Sequence, residues 1–102
     1  MSKLGVQSGA PLIVDLADRT VESFPALWDA LAEPCGLPVR FGRNLDAWWD
    51  TLDHGAISPV LDAHPLLIVR LRAAGMFAPG SQDGARFVAV TERSSYGQVE
   101  FV

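Results

Sequence analysis

Residues 41 to 52 read F-G-R-N-L-D-A-W-W-D-T-L, and Asp53 and His54 follow directly. Side chains of these types at this spacing could do three kinds of chemistry. Asp46 and Asp50 could act as a general acid and base. With Asp53 and His54 they could ligate a hard cation. Or they could hold fixed negative charge for a cationic partner. The first needs an enclosure that shifts one carboxyl's pKa. The second needs ligands that wrap an ion, which consecutive turns of one helix do poorly. The third needs only exposure, so the expectation is a binding surface with no catalytic residue, no metal and no cofactor.

A helical wheel separates the roles. At about 100° per residue with Leu45 at zero, Trp48, Trp49 and Leu52 fall near 300°, 40° and 340°, one apolar stripe. Asp46, Asp50 and Asp53 fall near 100°, 140° and 80°, a narrow acidic flank, and Trp49 sits at the seam between the two. Asp46 lies in the first turn, where the helix dipole favours an anion. Asp50 and Asp53 lie beyond it, and like charges four apart cost a few tenths of a kcal/mol. No Lys or Arg stands at i+3 or i+4 to relieve them. A flank selected for helix stability would mix signs, so this one reads as held negative for a cationic partner, with Trp49 as an amphipathic contact.

The elements that must position this helix can be read along the chain. Pro11 to Leu16 is a short apolar run bounded by turn residues, a buried strand. Ser23 can cap a helix whose Phe24, Leu27, Trp28 and Leu31 follow helical spacing, with Pro25 tolerated in the first turn and Pro34 and Gly36 ending it. Asn44 caps the acidic helix and Gly55 closes it. Ala56 to Pro65 reads as loop with one helical turn. Leu66 to Leu71 is a second strand whose unbroken L-L-I-V suits coverage on both faces. Ser81 to Ser94 is rich in β-branched residues yet is assigned as helix, and Val99 to Val102 is a final strand. Strands separated by helices predict the α/β class with a small parallel sheet. Trp28, Trp48, Phe41 and Phe87 are expected in the core.

At 102 residues the chain suits one domain, residues 1 to 102, with one core and no deep cleft. Twelve acidic against eight basic residues leave a net charge of -4, and no basic cluster marks a nucleic-acid binder. The first residues lack the apolar run of a signal peptide, no stretch is long enough to span a bilayer, and the single Cys35 suits a reducing compartment. A cytoplasmic protein is expected. Cys35 is read as a buried structural thiol, and His64 as a loop histidine.

The stretch F-G-R-N-L-D-A-W-W-D-T-L resembles the signature of the barstar family, Y-G-E-N-L-D-A-L-W-D-C-L, sharing Gly42, Asn44, Leu45, Asp46, Ala47, Trp49, Asp50 and Leu52 without a gap. The preceding Leu37-Pro38 also fits, and the element order agrees over nearly the whole chain. The resemblance implies a three-stranded parallel sheet flanked by helices. It also implies an intracellular inhibitor of a small secreted guanyl-specific, barnase-like ribonuclease, bound 1:1. Asp50 would occupy the phosphate position, Asp46 would pair an Arg or Lys at the rim, and Trp49 would be a neighbouring contact.

Several positions depart from that pattern. Arg40 stands where barstar has a contacting tyrosine, which would favour an acidic spot or an exposed base on the partner. Asp53, His54 and Gly55 replace a threonine, a glycine and a tryptophan, and the loop from Asp50 to Pro65 is longer. Glu92 corresponds to a late-helix glutamate of barstar to within about a residue of register. The competing reading is a barstar-like module that binds another basic protein without inhibiting a ribonuclease.

Overall fold

The computed structural model describes residues 9 to 102. Its scaffold is a parallel sheet of three strands in the order β1 (Leu12–Asp15), β2 (Leu67–Leu71), β3 (Gly97–Phe101). Val14, Val69 and Val99 stand side by side in register, as do Asp15, Arg70 and Glu100 one residue on. Alternation along each strand therefore sends the valines to one face and the charges to the other. The inner face packs against α1 (Phe24–Ala32), α2 (Leu45–Asp53) and α4 (Gln82–Arg93), whose Leu27, Trp28, Leu31, Trp48, Leu52 and Phe87 share one core with Val14, Leu67 and Val69.

Ser23 and Asn44 cap α1 and α2 as expected, accepting from Ala26 N and Ala47 N. The helix over Ser81 to Ser94 forms as α4, with Ser81 as its cap. Gly84, Phe87 and Thr91 are its buried residues, spaced by three and four. Packing of that helical face on the core, not β propensity, decides the segment. The loop after α2 carries its helical turn at α3 (Pro59–Asp62). Between β2 and α4 a 3-10 turn, Gly75–Phe77, lies so close to α4 that a Cβ on Gly84 would collide with Met76 O.

Two expectations change. The last strand starts two residues earlier than its β-forming residues suggest, because Gly97 and Gln98 pair with Leu67 and Ile68. Strand β2 is not equally covered on both faces: Leu67, Val69 and Leu71 are buried, whereas Ile68 and Arg70 are only half-covered and their neighbour Ile13 is exposed. Among the described residues the helices pack on one face only, and the unbroken apolar run of β2 hides this asymmetry.

The core is dominated by aromatics. Trp28 packs edge-on against Phe41 at 5.3 Å and meets Trp48 at 6.0 Å, while Trp48 stacks on Phe87 at 5.6 Å. Such pairs contribute about 0.5–1.5 kcal/mol each beyond area burial. Trp48 Nε1 donates to Thr91 Oγ1 at 2.9 Å, and Thr91 in turn donates to Phe87 O at 2.7 Å. The buried Trp28 Nε1 has no acceptor among the described residues.

Candidate functional site: the acidic face of α2

Nine residues of isolated helix would be marginal in water, so α2 persists because its back is locked. Trp48 and Leu52 are buried, and Thr51 donates back to Ala47 O at 2.8 Å. Its two ends are held by left-handed backbone at non-glycine residues, Arg43 with φ 55° and Ala56 with φ 63°. Conformations of this kind cost of order 1–3 kcal/mol and persist only where contacts enforce them. Arg43 Nη2 donates to Asp29 Oδ1 at 2.9 Å and to Pro25 O at 3.1 Å, tying the entry of α2 to α1. Ala56 N donates to Asp62 Oδ2 at 2.8 Å, tying its exit to α3. Gly55, with φ +73°, makes the reversal between them.

On this held helix Asp46, Asp50 and Asp53 are all exposed, and the half-buried Trp49 lies at the seam. Asp50 is the best surrounded of the three. His54 Nδ1 lies 3.5 Å from its Oδ1, one helical turn on. On its other side it lines a shallow hollow of about 160 Å³ whose wall also includes Arg40, with Phe41 and Ile57 as apolar lining. Asp46 borders a separate hollow of about 280 Å³ with Phe24, Arg43, Asn44 and Leu45. The fold thus places Arg40 on the hollow beside Asp50 and His54 one turn on from Asp50, and leaves Asp46 at a neighbouring hollow.

Glu92 is placed elsewhere. Its Oε2 accepts from Val99 N at 3.2 Å, on the edge strand β3. The next residue, Arg93, reaches the acidic helix instead: its guanidinium lies 5.1 Å from the Trp49 ring centroid. A cation–π contact of this kind is worth about 0.5–1 kcal/mol at an exposed site. Spacing along α2 alone reveals no such cation. Arg93 arrives from α4, and its position in the last turn of that helix is the one sequence signal for it.

Behind the site, Cys35 is fully buried, and burial pushes its thiol up to about 12. Its carbonyl accepts from Ser58 Oγ, at the cap of α3. Tyr96 donates its hydroxyl to Leu61 O and is likewise pushed up to about 12, by burial first and then by the nearby Asp62 carboxylate. These contacts tie the long loop to the turn after α1 and to the residue just before β3. His64 Nδ1 lies 3.0 Å from Ala10 O, beside β1. Among the described residues no three His, Cys, Asp or Glu side chains converge in a metal-holding group.

Comparison with known proteins adds one finding. The family model described as barstar (barnase inhibitor) matches residues 12–95, from the first residue of β1 through α4 to the turn before β3. No curated protein matches the chain. The matched region contains the capped acidic helix, its aromatic support and the first two strands of the sheet. The chain belongs to the barstar family.

Proposed function

We propose that this protein is an intracellular inhibitor of a small secreted guanyl-specific ribonuclease, and that α2 is the element that plugs the enzyme's active site. The observation that carries this reading is the exposed row Asp46, Asp50 and Asp53 on a helix whose opposite side is locked in the core. Membership of a family described as a barnase inhibitor supports it. In the complex Asp50 takes the position of an RNA phosphate among the enzyme's cations, Asp46 pairs an Arg or Lys at the rim, and Trp49 packs beside them. Asp53 and His54 extend the contact along the helix. Glu92 already satisfies Val99 N, so the reading rests on α2.

The inhibitor performs no chemistry. It occludes the site and supplies charge where RNA would, on a helix that needs no reorganisation to bind. Carboxylates presented in advance also steer encounter with a basic cleft, so association should be fast at low salt and slow steeply as salt rises. Barnase and barstar are the standard example of such steering.

Titrating RNA cleavage by small secreted guanyl-specific ribonucleases tests the proposal. A linear loss of activity reaching zero at one inhibitor per enzyme is the expected result. Undiminished cleavage at micromolar inhibitor would instead leave a barstar-like module that binds some other basic protein.

A further inference from the structure

The described arginines are mostly engaged. Arg19 pairs with Asp18, Arg43 with Asp29, Arg70 with Asp15 and Glu100, and Arg93 lies on Trp49. Arg40, Arg72 and Arg86 are exposed and their side chains make no ion pair or hydrogen bond among the described residues, and of these three Arg40 is the one that lines the same hollow as Asp50. The one ion-pair distance Asp50 has among the described residues is to His54, one helical turn on. Cation and anion therefore face one concavity across an apolar floor of Phe41, Ile57 and Pro38 without closing on each other.

Resting on the ribonuclease-inhibitor reading, we infer that Arg40 is a specificity-determining contact that pairs with a carboxylate of the ribonuclease, lying next to the cations that Asp50 meets. A wholly cationic partner surface would make Arg40 a liability, since it would subtract from the steering field and bring like charges together in the interface. Electrostatic complementarity is restored when the partner presents a cation to Asp50 and an anion to Arg40. The planar guanidinium suits a carboxylate, which it can grip through two parallel N–H bonds. An RNA-cleaving site has a use for such a group, because general acid–base chemistry on the ribose hydroxyl needs a proton acceptor beside the cations that hold phosphate. The hollow then discriminates among ribonucleases by the position of that carboxylate relative to the phosphate-binding cations.

The test uses whichever small secreted guanyl-specific ribonuclease the full chain inhibits most tightly, with binding measured for the unaltered protein, Arg40→Ala, Arg40→Glu and Asp50→Ala. Arg40→Ala should weaken the complex by at least about tenfold and Arg40→Glu by at least about a hundredfold. Both variants should keep the thermal midpoint, since Arg40 makes no bond among the described residues. Arg40→Ala binding as tightly as or more tightly than the unaltered protein, while Asp50→Ala still loses affinity, would overturn the role of Arg40 and leave the inhibitor reading intact. Arg40→Glu binding no worse than Arg40→Ala would overturn it too, because the site would then not be reading charge. Failure of the unaltered protein to inhibit any such enzyme removes both inferences together.

Discussion

Two exposed charged surfaces of this protein follow opposite rules. On the outer face of the sheet, Arg70 stands between Asp15 and Glu100, with ion-pair distances of 3.5 Å and 3.4 Å, one contribution from each strand. Charge there is arranged to cancel. On the flank of α2 three aspartates share a helix edge, and the one ion-pair distance along it among the described residues is His54 to Asp50. Arg40 and Arg43 line hollows beside Asp50 and Asp46 without pairing with them, and Arg93 lies on the Trp49 ring. Charge there is left unbalanced. Surface pairs contribute at most about 1 kcal/mol, so neither arrangement decides whether the chain folds. The difference lies in what each surface offers from outside: the sheet face has satisfied its ions internally, and on the proposed reading α2 leaves its charge for a partner.

The comparison can be broken most directly at Asp50. Asp50→Ala should weaken ribonuclease binding by about 2–5 kcal/mol while changing folding stability by no more than about 0.5 kcal/mol. Isothermal titration together with chemical denaturation separates the two effects. A binding change under about 0.5 kcal/mol would mean that α2's charge is as idle as that of the sheet face.

Alkali should divide stability from charge. Cys35 is raised in the folded protein from an ordinary 9.0 to about 12, so its contribution is fully present below about pH 9 and is lost as pH rises through 12. At about 1.4 kcal/mol per unit, the loss is on the order of 4 kcal/mol. Tyr96 acts in the same direction from 10.0. Carboxylates do not titrate in that range, so denaturation midpoints should fall between about pH 9 and 11 with the acidic flank still charged. Cys35→Ala should flatten that slope, and an unchanged slope would place the alkaline weakness elsewhere.

A smaller effect is expected behind the helix. Thr91→Val keeps the shape but removes the acceptor of the buried Trp48 N–H, which should cost about 1–3 kcal/mol of stability. Equilibrium unfolding in urea would measure it, with ribonuclease affinity retained in the folded fraction. The smallest is Arg70→Ala, which should cost under about 1 kcal/mol and leave inhibition unaltered. A loss of inhibition on changing Arg70 would show that the sheet face also meets the enzyme and would dissolve the contrast.

Much of the arrangement was legible without coordinates because it depends on local physics. Asn44 caps α2, helical spacing puts Trp48 and Leu52 on one side and the aspartates on another, and these follow from about 3.6 residues per turn whatever the helix packs against. The signature residues, read as a barstar resemblance, likewise pointed to the family that residues 12–95 match. The order of the three strands and of α1 and α2 was also recoverable from punctuation and periodicity. Ser81 to Ser94, by contrast, could equally be read with period two until packing made it α4, the turn at Pro59–Asp62 is legible only as lying within Ala56 to Pro65, and the 3-10 turn Gly75–Phe77 is not anticipated.

Contacts between separate elements were decided only by the tertiary structure. Arg93 on Trp49, Arg43 on Asp29 and Pro25, Glu92 on Val99 and the hollow shared by Arg40 and Asp50 each depend on where separate elements come to lie. That the described helices cover one face of the sheet belongs to the same class, since an apolar strand reads alike whether one side or both are covered. Periodicity reports which side of an element is apolar, but only packing determines which side chain from elsewhere meets it.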